Sequence, residues 1–166
     1  MILTKQEILD EIKRGRIKIT PFKKANVGPA SVDLTLDDQI RVFSKSGQFV
    51  STNSNYKEVT KLIKMKQGYN LKPGEMALGI TKEKITLPED ICGWLNSRSR
   101  YARIGLMSHI TAPFVAPGVS NKQVLEMYNA SPNNIMLLPK SKICQIVLEE
   151  CRGKAKYSGI WKNQRL

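Results

Sequence analysis

Histidine is almost missing from this chain: its 166 residues hold one, His109. A Ser-His-Asp or Cys-His nucleophile system would have to run through it, and no Gly-x-Ser-x-Gly context is present to support one. Cysteine is scarce as well. Cys92, Cys144 and Cys151 are odd in number and widely spaced, which argues against a disulfide framework. With no Cys-x-x-Cys, a zinc site is not expected. No apolar run approaches the ~18 residues of a membrane span. The opening from Met1 to Glu7 lacks a signal-peptide pattern, so the expectation is a cytoplasmic protein without a membrane partner. The Walker-type phosphate loop and the dinucleotide fingerprint are both absent. Aromatic residues make up only 7%, and no stacking-motif spacing emerges among them. Acidic residues are outnumbered, 14 against 27 Lys and Arg, for a formal charge of +13. A pI near 9.8 is common in nucleic-acid binders. Here, however, the lysines are spread along the whole chain. Nucleic acid is therefore an unlikely partner, and a polyanionic small ligand is the better expectation.

What is present fits one domain with a core of its own. Residues 4–15 read as a short helix: Thr4 and Glu7 form a capping-box pair, Ile8, Leu9 and Ile12 share a face, and Gly15 stops it. Short alternating segments follow. They lie at residues 17–19, 29–36, 39–43, 76–80, 84–87, 91–95, 135–138 and 142–148, with Pro/Gly turns between them. Residues 44–56, rich in Ser, Asn and Gly, read as a surface excursion. Residues 99–106 read as a short helix ended by Gly105. This spacing points to a mainly β domain, a barrel or sandwich. Residues 152–166 read as a flexible basic tail. From Lys140 to Leu166 there are seven Lys and Arg against two Glu, suited to a phosphate chain.

The chemistry concentrates between Ser97 and Asn129. Arg98, Ser99, Arg100 and Arg103 offer the positive charge and donors that phosphate oxygens take. Glu126, between Leu125 and Met127, is a candidate base in apolar surroundings. Each also has a plainer reading. Arg103 and Glu126 could be an ion pair between strands, Asp33 a solvent-facing strand carboxylate, and His109 a hydrogen-bonding histidine.

Several ordered segments carry a resemblance. Met1-Ile2-Leu3 with Gly15-Arg16-Ile17, Pro29-Ala30-Ser31-Val32-Asp33-Leu34, Pro73-Gly74-Glu75 and Ile85-Thr86-Leu87-Pro88 resemble motifs of the dCTP deaminase branch of the dUTPase-like superfamily. So, most specifically, do Arg98-Ser99 with Tyr101-Ala102-Arg103-Ile104-Gly105-Leu106, and Val124-Leu125-Glu126. The resemblance covers nearly the whole chain. It implies a distorted, jelly-roll-like β-barrel working as a homotrimer, with active sites at subunit interfaces that take dCTP or dUTP with Mg²⁺ on the triphosphate.

The implied reaction is hydrolytic deamination of dCTP to dUTP and ammonia, supplying dUTP for thymidylate synthesis; a dUTP diphosphatase or a bifunctional enzyme is the alternative. Zinc deaminases carry a signature missing here, so the water would be activated without zinc. Glu126 matches the family's general base, and Arg103 and Ser99 its essential partners. Arg98 and Ser99 match phosphate-binding positions, with Arg100 beside them. Ala112 matches a small residue next to the cytosine ring. Lys156-Tyr157 matches the start of a closing C-terminal segment, and His109 a loop linked to nucleotide feedback in some members. Three departures stand out. Arg100 replaces a small hydroxyl residue, the tail is short, and Ala116 replaces an aspartate. Because the superfamily's diphosphatases use that aspartate to orient a water, Ala116 leads to the expectation that the reaction stops at dUTP.

Overall fold

The computed structural model describes residues 1–44 and 49–166. Helix α1 (Lys5–Lys13) opens the chain behind the capping box of Thr4 and Glu7 and buries Ile8. Eleven strands follow among the described residues: β1 (Lys18–Thr20), β2 (Val32–Phe43), β3 (Thr60–Lys64), β4 (Tyr69–Leu71), β5 (Met76–Thr86), β6 (Ile91–Ser97), β7 (Leu106–Met107), β8 (Phe114–Val115), β9 (Ser120–Asn129), β10 (Ile135–Leu137) and β11 (Lys142–Glu150). Two further short helices, α2 (Tyr56–Val59) and α3 (Ser99–Ala102), sit between strands. The expected surface excursion over 44–56 lies partly outside the described residues, at 45–48.

The strands build one antiparallel sheet in the order β7-β9-β5-β2-β11-β6-β8, with β1 added on β5 and β3 on β2; β4 and β10 form a separate pair. Alternation fixes the inside. Val32, Leu34 and Leu36 on β2, Leu125 and Met127 on β9, and Ile146 and Leu148 on β11 are almost fully buried, and together with Ile40, Ile85 and Leu95 they form the core. This is the period-two burial that drives a sheet to curl around a core.

Two pairs of expected strands are single strands here. Residues 29–36 and 39–43 merge into β2, whose register against β5 shifts between Leu36 and Ile40. Asp37 and Asp38, which lie between the two expected segments, are both satisfied inside the strand pairing. Lys122 Nζ donates to Asp37 at 2.6 Å, and the N–H of Met65 donates to the Asp38 carbonyl at 2.7 Å. Burial pushes the Asp37 carboxyl up, but the bonds from Lys122 and the Asp38 N–H, with the charges of Lys122 and Lys82, outweigh it and hold it below its ordinary value. Likewise β5 runs through Thr81–Glu83 as a bulge, its register against β9 shifting between Ile80 and Lys84. Buried Glu83 accepts from the Thr35 N–H at 2.8 Å. Bulges like these bend strands and re-aim side chains beside sites.

The tail expected to be frayed lies along the barrel. Ala155 N–H donates to the Glu89 carbonyl and Tyr157 N–H to the Pro117 carbonyl, at 2.8 and 2.9 Å. A short 3-10 turn, Ile160–Asn163, follows. Asn121 Nδ2 donates to the Trp161 carbonyl at 2.9 Å, and Gln164 Nε2 to the Lys122 carbonyl at 2.8 Å. Backbone bonds and aromatic contacts fasten this segment, and neither leaves a trace in hydrophobic periodicity.

Candidate active site

Strand β9 alternates with Leu125 and Met127 turned into the core, so Glu126 faces the other way. The apolar flanks that made Glu126 a candidate base in the sequence therefore do not surround its carboxylate. Its apolar surroundings come from across the sheet. Leu78, its cross-strand partner on β5, lines the same cavity of about 420 Å³, as do Phe114 and Val115. Within that cavity wall Glu126 Oε2 is buried and has no hydrogen-bond partner. A buried carboxylate oxygen left unpaired is costly in a structural role and suits a group waiting for a substrate water.

Ala112, Ala116 and Tyr157 line this cavity too. The turn of Ala116, Pro117 and Gly118 holds the tail against it. Gly118 takes φ of +72°, and a Cβ there would come within 3.1 Å of Lys156 Cα, so only glycine lets the chain pass so closely. Lys156 itself is exposed and Tyr157 half-buried. Sequence reading missed Tyr56, Gln123, Trp161 and Arg165, which also line the cavity. Asn121 and Gln123 alternate correctly for β9, and their polarity at buried positions was the available signal.

The basic half of the expected site lies elsewhere on the chain. Ser99, Arg100 and Arg103 sit exposed on and after α3. Arg103 borders a separate surface depression with Ile104, Ser131 and Met136. Among the described residues no ion pair joins Arg103 to Glu126, so the plainer reading of a strand-to-strand ion pair does not hold within one chain. Arg98 is engaged locally: its Nε lies 3.1 Å from Asp33 Oδ1, and its Nη1 donates to the Lys142 carbonyl at 3.2 Å. Lys142 Nζ completes the cluster at 3.3 Å from Asp33 Oδ2. Asp33 is thus the centre of an ion-pair cluster and not a free strand carboxylate. His109 is half-buried, with Nδ1 unpartnered. Its loop is fastened by Ser108, whose N–H donates to Ser97 Oγ and whose hydroxyl donates to the Ile143 carbonyl.

Among the described residues, no three His, Cys, Asp or Glu side chains cluster as metal ligands, and no helix is long and apolar enough to cross a membrane.

Comparison with known proteins joins these observations. A protein named "dCTP deaminase, dUMP-forming" from Mycobacterium sp. (strain KMS) is 37% identical over 175 residues, covering 99% of this chain and 92% of its own. The structure of 2'-deoxycytidine 5'-triphosphate deaminase from Agrobacterium tumefaciens superposes with a TM-score of 0.69 at 20% identity. It covers 89% of this chain, which spans only 47% of that one. A dUTPase of Staphylococcus bacteriophage 80alpha gives a TM-score of 0.53 at 14% identity, covering 87% of this chain and 96% of its own. Both superpositions show a shared, dUTPase-like fold. The family model described as dCTP deaminase-like matches residues 2–151, and with that match over most of its length the chain belongs to the dCTP deaminase family of enzymes.

Proposed function

We propose that this protein catalyses hydrolytic deamination of dCTP with Glu126 as general base. The observation that carries the reading is the unpaired, buried Oε2 of Glu126 on the wall of a nucleotide-sized cavity. Water adds to C4 of cytosine as Glu126 takes its proton. The carboxyl passes that proton to N3, then takes the proton of the new C4 hydroxyl and hands it to the amine as the C4–N bond breaks and the C4 carbonyl forms, so that dCTP and water give a uracil nucleotide and ammonia. The substrate is written as Mg·dCTP, the ion arriving on the triphosphate.

The active unit in this reading is a homotrimer. Ser99, Arg100 and Arg103 of one chain complete the cavity of the next, because a single chain leaves them exposed and apart from Glu126. Ile104 and Met136, which share the depression with Arg103, are each more than half exposed. Apolar side chains beside unpaired cations fit a surface that another copy covers. Across that interface the guanidinium of Arg103 would hold Glu126 ionised and oriented, and the Ser99 hydroxyl would position the water or a phosphate oxygen.

Against the expectation of a halt at dUTP, this reading takes the reaction on to dUMP. Curated relatives carry the name "dCTP deaminase, dUMP-forming", and the product proposed for this chain is dUMP with pyrophosphate. Ala116 supplies no base, and Glu126 is the sole carboxylate among the cavity's lining residues. The phosphate-side water is therefore served by Glu126 or by a carboxylate of the neighbouring chain. The test is incubation with Mg·dCTP and chromatography of the products. Ammonia, dUMP and pyrophosphate are expected from the wild type, and no ammonia from Glu126→Gln. Accumulation of dUTP without pyrophosphate would restore the halt that Ala116 suggested. Undiminished deamination by Glu126→Gln would overturn the mechanism.

A further inference from the structure

Beyond Glu126 and the residues already discussed, one aromatic side chain ties three separate parts of the chain together at the cavity. Tyr56 opens α2, where the Asn55 side chain accepts from the Lys57 N–H at 3.0 Å, and its ring lines the cavity that holds Glu126. It is held on one side by β2. The guanidinium carbon of Arg41 lies 5.7 Å from the Tyr56 ring centroid, within range of a cation–π contact. Arg41 Nη1 donates to both the carbonyl and the hydroxyl of Thr60 at 3.2 Å. The Thr60 hydroxyl in turn donates to the Tyr56 carbonyl at 2.7 Å. On its other side Tyr56 meets the C-terminal segment. Its hydroxyl donates to the Arg165 carbonyl at 2.9 Å, and its ring lies 6.1 Å from that of Trp161, tilted by 54°.

Register puts this assembly level with the base. Arg41 is opposite Leu78, and Leu78 is opposite Glu126. The three form one row across β2, β5 and β9, and cross-strand partners present the same face of a sheet. Arg41 Nε is buried without a partner, as is Glu126 Oε2. The Arg41 side chain thus gives up one donor in order to stand behind Tyr56.

Resting on the deaminase reading, we infer that Arg41 and Tyr56 are positioning residues: together they form a post that fastens the segment from Tyr157 to Arg165 across the cavity that holds Glu126. Tyr56 belongs to the stretch after β2, far from the tail in sequence, so the enclosure of nucleotide is controlled from two distant parts of the chain. The two aromatic rings and the hydroxyl-to-carbonyl bond are the fastening, and Arg41 with Thr60 keeps the Tyr56 ring from swinging away.

The test uses the full chain carrying Trp94→Phe, which leaves Trp161 as its only tryptophan. Acrylamide quenching of Trp161 without nucleotide reads the fastening directly. Kinetics with Mg·dCTP read its effect on the reaction. Tyr56→Ala should raise the quenching constant roughly twofold or more and raise KM roughly two- to tenfold, the range of one lost hydrogen bond plus a ring contact, with kcat changed less than about twofold. Tyr56→Phe, which deletes one oxygen and keeps the ring, should fall between the two. Arg41→Met should behave like Tyr56→Ala, while Arg41→Lys restores part of the effect. Unchanged quenching in Tyr56→Ala and Arg41→Met overturns the proposal, as does an equal fall of kcat in all variants. If Tyr56→Ala fails to fold, Tyr56→Phe alone decides by the same two readouts. The quenching arm needs no catalysis. Loosened Trp161 in a protein that releases no ammonia would count against the deaminase reading while the post stands.

Discussion

Two inactive variants should restore each other. Glu126→Gln removes the base and keeps its shape; Arg103→Ala removes an exposed guanidinium without touching the core. Each is expected to fall by roughly 10²-fold or more, the scale of a lost general base. In the proposed closed ring, each site would take Glu126 from one chain and Arg103 from the next. If the two variants assemble at random in equal amounts, about one quarter of sites draw an intact Glu126 and an intact Arg103. Activity should therefore climb from about a hundredth to about a quarter of wild type. Co-expression with two different tags and purification on both gives a sharper number. Every mixed trimer then has one site with both groups intact, one with both lost and one with a single loss, so about one third of wild-type activity is expected. Ammonia release from Mg·dCTP is the assay, and a sizing measurement with both tags present confirms that chains have mixed. If mixed oligomers form and activity stays at the sum of the two variants, the site is complete within one chain. The division seen between the Glu126 cavity and the Arg103 depression would then be bridged by movement of the chain itself.

Three further outcomes follow from packing and protonation. A Cβ on Gly79 would meet Met127 Cε at 2.7 Å and Leu36 Cδ1 at 3.0 Å, so Gly79→Ala should destabilise the barrel by about 1–3 kcal/mol in a denaturant titration. Burial, then the hydrogen bond to Glu75, pushes the Tyr69 hydroxyl up to about 12 from 10.0. Its contribution is complete below pH 10 and is lost as the pH rises toward 12, so the melting-temperature gap between wild type and Tyr69→Phe should narrow across that window. Burial, then contact with Cys151, pushes the Cys92 thiol up to about 11, and Cys144 is sealed in the core. A thiol reagent at pH 8 should therefore modify Cys151 well before the other two, read by mass spectrometry.

The fold was legible where burial alternates. Residues 91–95, 135–138 and 142–148 read as strands, and they are the bodies of β6, β10 and β11. The helix after Thr4 was equally plain, because a capping box and a glycine stop are local signals; the short helix expected over 99–106 is only Ser99–Ala102, and Leu106 already belongs to β7. Strand β3 was missed because Lys61, Leu62 and Lys64 are exposed and its pairing with β2 buries little that a hydrophobic pattern could register. Asp37-Asp38 and Thr81–Glu83 read as interruptions because the groups that satisfy them, Lys122 and the Thr35 N–H, come from distant strands.

The site was legible residue by residue and not as an arrangement. Glu126 stood out as a lone carboxylate, yet the reason given from sequence, its flanks Leu125 and Met127, was the wrong one. Strand alternation sends those flanks inward, and the apolar neighbour opposite Glu126 is Leu78, four strands earlier in the chain, which only register can supply. Arg98 stood out as a phosphate ligand because of its neighbours in sequence, whereas its neighbours in space are Asp33 and Lys142. An Arg already paired keeps its geometry but has fewer donors free, which under the proposed function would shift the burden of phosphate binding toward Ser99, Arg100 and Arg103, all exposed and unengaged by ion pairs among the described residues. That shift also gives the replacement at position 100 a physical reading: where a hydroxyl would offer one bond, a guanidinium offers charge and several, at the surface where a neighbouring chain would bring the triphosphate.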